Sequence, residues 1–532
     1  MAQQSLFSDD EVFKAVPPHL LAQLSKEELI QFFEAQQRVI DTLRRDVNWL
    51  RARNEELKQR ALFVDDQYIE LKNALYGKSS EREPMAQSDD SSNAGDKSAT
   101  SKHPKTKVLL PSQRYPNAPL IEREVTLKEL PACGCCGSQM EDSGLTENAE
   151  FLTVIPAQYI VVRQKRHKYR CSHCHGAFKT APAPKRITPG SSYSDAMVID
   201  VALSKYCDLI PVERYAAIAG RGGTPGLPPQ SLIETTHQLA DFFGEAYKGL
   251  KKEILAAKML HADETPHRML EGDDKTNWYL WGFSTKESSY FECRNTRSGD
   301  VASDLLKLSK CEYLASDVYS GYAKSVRVTN EVRKEKGLPP MHNVYCNAHS
   351  RRYFKRAKEH FAGEAQFFID RYKEIYQLED QVKDQPPGVV LTIRSQMVPH
   401  FEAMRERAAA NVVAYSSKSK IAKAMNYFLG NYAELTAFTG MAELPIDNNP
   451  QERLLRSPVV GRKTWYGTHS KRGALTAAIL FSLVESCKLI GVNPRDYFKR
   501  LVEDMHSGKE AYTPREYKSR LSQDPVQPVN AG

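Results

Sequence analysis

The sequence predicts a multidomain α/β protein, and three observations favour this class. Short strand-like apolar segments between residues 258 and 346 first follow one another and then alternate with helical segments. A seven-residue apolar repeat precedes them, and helical patterns follow them. The composition, 41% hydrophobic and 26% charged, excludes a wholly disordered or fibrous chain. A length of 532 residues corresponds to about three to four domains.

The cellular setting is predicted to be a reducing cytoplasm. The longest apolar run, near Ala477–Val484, is far shorter than the ~20 residues that span a bilayer. The first residues include Asp9, Asp10 and Glu11 and no apolar stretch, which predicts no secretory signal. Five of the ten cysteines fall within residues 133–174 and the others stand singly, a distribution that favours one metal site over a disulfide scaffold.

A dimeric coiled coil is predicted after a capping box formed by Ser25 and Glu28. Two apolar rows repeat every seven residues without Pro or Gly before Gly77. The a row is Phe33, Ile40, Val47, Asn54, Ala61, Tyr68 and Leu75, and the d row is Gln36, Leu43, Leu50, Leu57, Val64 and Leu71. The alternative is an amphipathic helix packed on its own domain. Residues 78–107, rich in Ser, Asp, Lys and Pro, are expected to form a flexible linker.

A zinc module is predicted from two C-x₂-C pairs, Cys133/Cys136 and Cys171/Cys174. Four thiolates in two close pairs suit tetrahedral Zn²⁺. Cys135, His173 and His175 are spare candidate ligands, and free thiols are the alternative. The segments 151–155 and 159–163 have the β-branched, apolar character of strands.

A basic segment overlaps this module and predicts contact with nucleic acid. Residues 155–190 contain eight Lys or Arg and no acid. Five of them cluster before the second cysteine pair: Arg163, Lys165, Arg166, Lys168 and Arg170. Such a surface suits DNA phosphates, although a solvated basic face is the alternative. Helical segments at 194–206, 211–219 and 231–257 then resemble a helix-turn-helix, as many small helical domains do.

The strand-like segments predict a ribonuclease-H-like layer that brings two aspartates together. Five strands are expected, at 258–263, 278–283, 289–294, 311–316 and 344–346. The ends of the first and fourth strands are neighbours in this layer, so Asp263 and Asp317 should face each other. Glu452 opens a later helix that Asn448 or Asn449 can cap, with Pro450 near its first position.

Three carboxylates of this kind can bind two Mg²⁺ (or Mn²⁺) ions about 3.5–4 Å apart for phosphoryl transfer. Taken alone, these three acids are weak evidence for catalysis, because the chain has 66 acids. Each of the three could equally be a surface carboxylate or a helix cap.

Nine stretches give the chain a resemblance to the DDE transposases of the insertion-sequence 66 family. HADETP at 261–266 and IDNNPQERLLR at 446–456 are the most specific. The others are LKNALYGKSS at 71–80, the cysteine module, residues 206–215, SDVYSGY at 316–322, CNAHSRR at 346–352, GRKTW at 461–465 and residues 491–494. They cover roughly residues 70–500 in the family's order.

The resemblance implies a catalytic triad of Asp263, Asp317 and Glu452, one structural zinc ion and a helical insertion before the glutamate. It also implies accessory proteins encoded by the same element. Two stretches depart from the family pattern: Asp317-Val-Tyr replaces Asp-Gly-Tyr, and Gly467-Thr-His-Ser replaces Ala-Gly-Ser. Neither departure removes a carboxylate.

Two further groups of residues surround this predicted site. Cys346 and His349 form C-x₂-H, which is read either as a pair of ligands or as a packed Cys with a hydrogen-bonded His. The basic run after Glu452 is expected to bind phosphates, and Trp465 and Tyr466 within it could stack on a base. The run consists of Arg453, Arg456, Arg462, Lys463, Lys471 and Arg472.

Three functions are compatible with these features. The first is a transposase that binds terminal inverted repeats, cleaves the ends and joins the 3′-OH to target DNA, acting at the nucleoid. The second is a non-catalytic, dimeric, zinc-dependent DNA-binding protein. The third is a structure-specific nuclease of the same fold.

The predicted domains follow from these assignments. They are a coiled coil at 1–77, a linker at 78–107, a zinc module at 108–190, a helical DNA-binding domain at 191–257, a catalytic core at 258–359 and 446–490, a helical insertion at 360–445 and a C-terminal segment at 491–532.

Overall fold

The structure is a computed structural model of the 532-residue chain. It describes parts of residues 25–51 and 110–173, and then all of 178–270 and 277–523. The predicted linker and the heptad positions beyond residue 51 lie outside the described residues, as do Cys133, Cys174 and His175.

The described elements include both strands and helices, and strands alternate with helices only between β5 and β7. The strands are β1 (Lys168–Arg170), β2 (Phe178–Thr180), β3 (Met259–Arg268), β4 (Asn277–Ser284), β5 (Ser289–Arg294), β6 (Tyr313–Ser316) and β7 (His342–Tyr345). The helices before β7 are α1 (Pro111–Arg114), α2 (Asp195–Tyr206), α3 (Val212–Arg221), α4 (Pro229–Phe242), α5 (Gly244–Ala256), α6 (Asp300–Leu306) and α7 (Ser320–Glu335). Those after β7 are α8 (Asn347–Ala357), α9 (Ala362–Glu379), α10 (Pro387–Ser395), α11 (Val398–Asn411), α12 (Lys420–Gly430), α13 (Tyr432–Thr436), α14 (Asn449–Trp465), α15 (Lys471–Leu489), α16 (Pro494–His506) and α17 (Pro514–Gln523).

The chain divides into two compact units. The smaller contains residues 79–165 and 218–226, and the larger contains the rest. Within the smaller unit, the Ser112 backbone N–H and hydroxyl donate to the Glu150 carboxylate at 2.8 and 3.0 Å. An isolated antiparallel bridge joins Ala132 and Gln139 there.

A five-stranded mixed sheet forms the centre of the larger unit. Its strand order is β5-β4-β3-β6-β7. The strand β4 is antiparallel to both β3 and β5, whereas β6 runs parallel to β3 and β7 parallel to β6. The structure therefore has a mixed α/β architecture, with the longest strand, β3, in the middle of the sheet.

Two large apolar clusters flank this sheet. One joins α2, α4, α5, α15 and α16 to the side chains of Leu280 and Phe291 on the sheet. The helices that were predicted as a separate domain at 191–257 therefore share a core with the C-terminal helices. The other cluster fills the helical region after β7 and includes Phe354, Phe368 and Phe428.

Side chains from helices cover the outer edge of β5. The backbone N–H groups of Ser289 and Phe291 donate to the hydroxyls of Ser486 and Ser482 at 2.9 and 2.8 Å. The Ser486 hydroxyl also donates to the Ser289 carbonyl at 3.1 Å. The Tyr247 hydroxyl donates to the Phe291 carbonyl at 2.6 Å. These four contacts occupy both backbone groups of both residues.

The start of the N-terminal helix agrees with the predicted capping box. The Ser25 backbone N–H donates to the Glu28 carboxylate at 2.8 Å, and the Glu28 N–H donates to the Ser25 hydroxyl at 3.3 Å. Of the heptad positions described, Phe33, Ile40, Leu43 and Val47 are exposed in the single chain.

Two local predictions were wrong in detail. The described parts of 151–155 and 159–163 contain no strand, and Phe151 and Val161 are 77% and 99% exposed. Their β-branched character alone does not make a strand, because a strand needs a partner for its backbone groups. The pattern at 231–257 forms two helices, α4 and α5, which break at the fully buried Phe243.

Within the described part of the chain, no single helix is long and apolar enough to cross a membrane. Only α15 and α16 taken together meet that criterion, and the pair is bent by 118°.

Candidate active site

The sheet places Asp263, on β3, level with Asp317, the first residue after the neighbouring parallel strand β6. His261 pairs with Ala315 in the register of β3 and β6. Asp263 and Asp317 each lie two residues beyond this pair, and therefore on the same face as its side chains. Adjacent strands are about 4.8 Å apart, so the two carboxylates share one region.

Glu452 lies in the first turn of α14, and side chains attach the start of this helix to the sheet. The Asn448 side-chain amide donates to the Ala262 carbonyl at 2.8 Å, and its oxygen lies 2.8 Å from Nδ1 of His261. Asn448 is the N-cap residue of α14, and it was one of the two residues predicted for that position. Its side chain, however, bonds to β3 and not to the helix. The Ser284 hydroxyl on β4 donates to Gln451 at 2.5 Å.

The segment that leads into α14 is fixed by two buried side chains of the helical region. The Asn347 amide donates to the carbonyls of Leu435 and Ile446 at 2.8 and 3.0 Å. The Arg394 guanidinium forms an ion pair with Glu379 at 2.5 Å. Its Nη1 also donates, at 2.9 Å each, to the carbonyls of Phe438, Met441 and Leu444.

Burial and neighbouring acids affect the ionisation of both aspartates. Burial raises the pKa of Asp263 well above its usual value, and the charges of Glu264, Asp317 and Glu452 raise it further. Burial, together with the charges of Glu264 and Glu452, raises the pKa of Asp317 to about 6, although the Tyr319 N–H and Arg297 oppose the shift. A group of oxygen ligands that repel one another suits a divalent cation.

Glu264 is a fourth acid at this site, and the sequence analysis did not identify it. Its side chain is only 2% exposed and pairs with Arg297 at 2.7 Å. The Tyr322 hydroxyl donates to the same carboxylate at 2.5 Å. Its position directly after Asp263, inside the HADETP stretch, was the only available signal.

Cys346 and His349 lie beside Glu452. Ligand atoms of these three residues lie within 4.8 Å of one another. Cys346 is the N-cap of α8, and its Sγ accepts from the Asn448 backbone N–H at 3.2 Å. Burial raises the pKa of the Cys346 thiol to about 12. Arg352 Nη2 lies 3.9 Å from Glu452 Oε2.

The basic residues after Glu452 have different environments. Arg453, Arg456 and Lys463 are exposed, whereas Arg462 donates to the Pro266 carbonyl. Trp465 is half-buried: its ring lies 6.3 Å from that of Tyr206, and Lys205 Nζ lies 5.3 Å from its centroid.

Tyr466 ends α14 in the left-handed conformation, with φ 64°, and is 73% exposed. Gly467 follows with φ +128°, where a Cβ would lie 2.1 Å from the Arg268 carbonyl oxygen. The turn after α14 therefore presents the tyrosine, rather than the tryptophan, to solvent.

The cysteine module is described in part. Cys135 and Cys136 are exposed in the turn between Ala132 and Gln139. Cys171 directly follows β1, which pairs with β2. The described cysteines therefore lie in a turn in the first half and directly after a strand in the second. The five predicted DNA-binding residues of the basic segment, from Arg163 to Arg170, are all exposed.

Comparison with known proteins identifies the class and then the family. The class is that of a DNA-acting protein: exposed basic residues beside a cysteine module precede the α/β unit along the chain. Residues 190–476, just over half of the chain, match the family model described as "Transposase IS66 family". Residues 131–175 match the "zinc-finger binding domain of transposase IS66". The chain therefore belongs to the IS66 transposase family and carries its zinc-finger domain, and the resemblance inferred from the sequence is confirmed.

Three similar proteins come from Sinorhizobium fredii (strain NBRC 101917 / NGR234), each described as an uncharacterized protein. The protein y4hP is 25% identical over 86% of this chain and 83% of its own length. The protein y4jD is 27% identical over 71% of this chain and 76% of its own length. The protein y4qI is 28% identical over 75% of this chain and 75% of its own length.

Proposed function

We propose that this chain is a DDE transposase that binds the terminal inverted repeats of an insertion sequence, cleaves its ends and joins the 3′-OH to target DNA. The observation that carries this proposal is the electrostatic coupling of Asp263, Asp317 and Glu452, which come from two strands and a distant helix of a chain in a transposase family.

The proposed catalytic core of the chain is ribonuclease-H-like. Its support is the strand order β5-β4-β3-β6-β7 with β3, β6 and β7 parallel to one another. Two acids follow paired positions of the central strands, and a third begins a helix packed on β3. The helical region between β7 and α14 corresponds to the predicted insertion, and the predicted domain boundaries remain part of the proposal.

Asp263, Asp317 and Glu452 are the residues that would hold two Mg²⁺ (or Mn²⁺) ions. Such ions, when bound, activate an attacking oxygen and stabilise a leaving oxygen on phosphate. The protein contributes fixed positions for the carboxylates: the sheet register aligns the aspartates, and Asn448 attaches the glutamate helix to β3. Arg297 holds Glu264 beside them and so limits the excess negative charge.

DNA binding is assigned to basic residues that precede and follow the core strands in the sequence. The segment of Arg163, Lys165, Arg166, Lys168 and Arg170 and the residues Arg453, Arg456, Arg462 and Lys463 would neutralise phosphates. Tyr466, more exposed than Trp465, is the better candidate for stacking on a base. Cys133, Cys136, Cys171 and Cys174 would hold one structural Zn²⁺ ion.

A homodimer or higher oligomer through the N-terminal helix completes the proposal. Phe33, Ile40, Leu43 and Val47 are apolar and exposed in one chain, and a second helix would bury them. Replacing Leu43, Leu50 and Leu57 together with Glu should convert the full-length protein to a monomer in light scattering. A wild-type protein that is itself monomeric at high micromolar concentration would contradict this part.

The central test is a gel assay of end binding and strand transfer with a labelled terminal-repeat oligonucleotide and Mg²⁺. Asp263→Asn, Asp317→Asn and Glu452→Gln should each lower strand transfer by at least about 100-fold, because two-metal chemistry requires both ions to be placed. DNA affinity should stay within about threefold, because Lys and Arg supply it. Asp300→Asn, at an acid on α6 whose side chain is 63% exposed, is the control and should retain activity.

The same assay separates the alternatives. Joining of the oligonucleotide to target DNA supports the transposase, and cleavage without joining supports a nuclease of this fold. Binding without chemistry supports a zinc-dependent DNA-binding protein. Near-normal strand transfer by any one of the three variants would remove that residue from the triad.

A further inference from the structure

A second group of potential metal ligands lies beside the proposed triad and differs from it in chemistry. The triad offers only carboxylate oxygens, whereas Cys346, His349 and Glu452 offer one sulfur, one nitrogen and one oxygen. The three ligand atoms lie within 4.8 Å of one another. Only Glu452 belongs to both groups.

The distance between His349 and Glu452 fits a shared ion better than a direct bond. Nδ1 of His349 lies 3.6 Å from Oε1 of Glu452, which is beyond normal hydrogen-bond length. Two ligands at about 2.0–2.1 Å from one tetrahedral ion are separated by roughly 3.4 Å. Glu452 Oε1 is buried and accepts no hydrogen bond within the described part of the chain.

The backbone holds the three ligands in fixed relative positions. Cys346 caps α8 and His349 occupies its first turn, so the C-x₂-H spacing places both side chains at one helix end. Asn448 links this end to the glutamate helix: its N–H donates to Cys346 Sγ at 3.2 Å, and its carbonyl accepts from the Glu452 N–H at 3.2 Å. The arrangement therefore does not depend on a mobile loop.

The ligand set selects a soft or borderline cation. Thiolate and imidazole favour Zn²⁺ over Mg²⁺, which prefers oxygen. Arg352 lies near the other glutamate oxygen, Oε2, at 3.9 Å. This leaves Oε1, the oxygen near the His349 nitrogen, as the ligand atom for the shared ion.

We propose that Cys346, His349 and Glu452 bind a thiophilic divalent cation, with Zn²⁺ as the preferred ion, at a site separate from the zinc finger. Binding forms a metal–sulfur bond and releases the thiol proton of Cys346 to solvent. The consequence rests on the proposed function: an ion bound here withdraws Glu452 from the Mg²⁺ site, and micromolar Zn²⁺ should then inhibit strand transfer.

The binding test uses the full-length protein, equilibrated with micromolar Zn²⁺ and freed of excess ion. Elemental analysis should find close to one zinc fewer per chain in Cys346→Ser than in the wild type, while the zinc-finger ion is retained. His349→Gln, a change at a side chain that is 24% exposed, should show the same loss if Cys346→Ser fails to fold. Cys311→Ser is the matched control, because Cys311 is equally buried but is not part of the ligand group.

A second measurement identifies the ligand directly. With Co²⁺ in place of Zn²⁺, thiolate-to-cobalt absorption should be lower in Cys346→Ser than in Cys311→Ser by the contribution of one thiolate. Equal metal content and equal absorption in the wild type, Cys346→Ser and His349→Gln would overturn the proposal. If Cys346→Ser and His349→Gln lose zinc but the wild type shows no strand transfer, this metal site stands and the proposed transposase function is wrong. If the wild type shows strand transfer but neither variant loses zinc, only this metal site is wrong.

Discussion

The two aspartates and the glutamate of the proposed triad are positioned by different means. Asp263 and Asp317 are positioned by backbone pairing of neighbouring strands, in which His261 lies opposite Ala315. Glu452 is positioned by side chains that bond to distant backbone groups. Asn448, for example, bonds to Ala262, 186 residues earlier in the chain.

The difference shows where the proposed site is vulnerable. A sheet register is shared by many backbone hydrogen bonds, so one substitution hardly moves it. The start of α14 depends on a few buried polar side chains, and the loss of one leaves its partners without a bond. Substitutions in these side chains should therefore disturb Glu452 while the aspartates stay in place.

The largest effect is expected from Arg394→Met. The variant leaves the Glu379 carboxylate, on a side chain that is 15% exposed, without its buried partner, and three carbonyls lose their donor. Breaking a buried pair of this kind costs about 3–5 kcal/mol in the free energy of unfolding, measured by urea denaturation. Strand transfer should fall more than DNA binding.

The control for this prediction is Arg407→Met. Arg407 also pairs with a glutamate, Glu364 at 3.0 Å, but it is 41% exposed. The loss should stay below about 1 kcal/mol, because water screens and replaces such a pair. Equal losses in the two variants would show that Arg394 does not have the special role assigned to it.

Asn448→Ala should have an intermediate effect on stability and a specific effect on activity. It leaves the Ala262 carbonyl and the His261 ring without their bonds, at a cost of about 2–3 kcal/mol. Asn330→Ala is matched to it, since Asn330 also makes two hydrogen bonds, both to the Met341 backbone, away from the carboxylates. Both variants should lose stability in denaturation, but only Asn448→Ala should lower strand transfer relative to DNA binding. A similar loss of activity in both would contradict the role of Asn448.

The smallest effect is expected from Asp317→Asn, and it depends on pH. Folding raises the pKa of Asp317 from 3.8 to about 6, so the folded state binds this proton more tightly than the unfolded chain does. The stabilisation that this proton gives the folded state is complete below pH 3.8 and is lost as the pH rises through about 6. Asp317→Asn, which cannot ionise, should therefore match the wild type at low pH and exceed it by about 1–2 kcal/mol above pH ~7 in a chelator.

Asp300 provides a comparison of opposite sign. Hydrogen bonds from Lys324 and Ser298 lower its pKa, so its ionised form is the favoured one. Asp300→Asn should gain no stability as the pH rises. If the difference between Asp317→Asn and the wild type is flat from pH 4 to 8, the inferred repulsion among the carboxylates is wrong.

The strands were predicted largely correctly because their signal is local. Apolar runs bounded by polar residues located β4 and β5 to within a residue. The first strand was expected to end near Asp263 but extends to Arg268, because β4 pairs with it along that length. Glu264 was missed for a related reason, since an acid next to another acid on a strand is normally taken as solvent-facing.

The contacts around Glu452 could not be predicted from the sequence. The pattern identified Asn448 as a possible cap, but its side chain bonds to a strand far away in the chain. Likewise, Arg394 reads as one basic residue among many until the carbonyls around it are known. Local patterns report what a segment prefers, and they do not report which distant backbone groups lack partners.

The covered edge of β5 has a consequence for the behaviour of the protein at high concentration. An exposed edge strand offers free N–H and C=O groups on which a strand from another molecule can assemble. Ser482, Ser486 and Tyr247 occupy these groups at Ser289 and Phe291. A neighbouring copy of the chain therefore meets a sheet whose β5 side is closed to strand addition, and the fold itself suppresses aggregation through that edge.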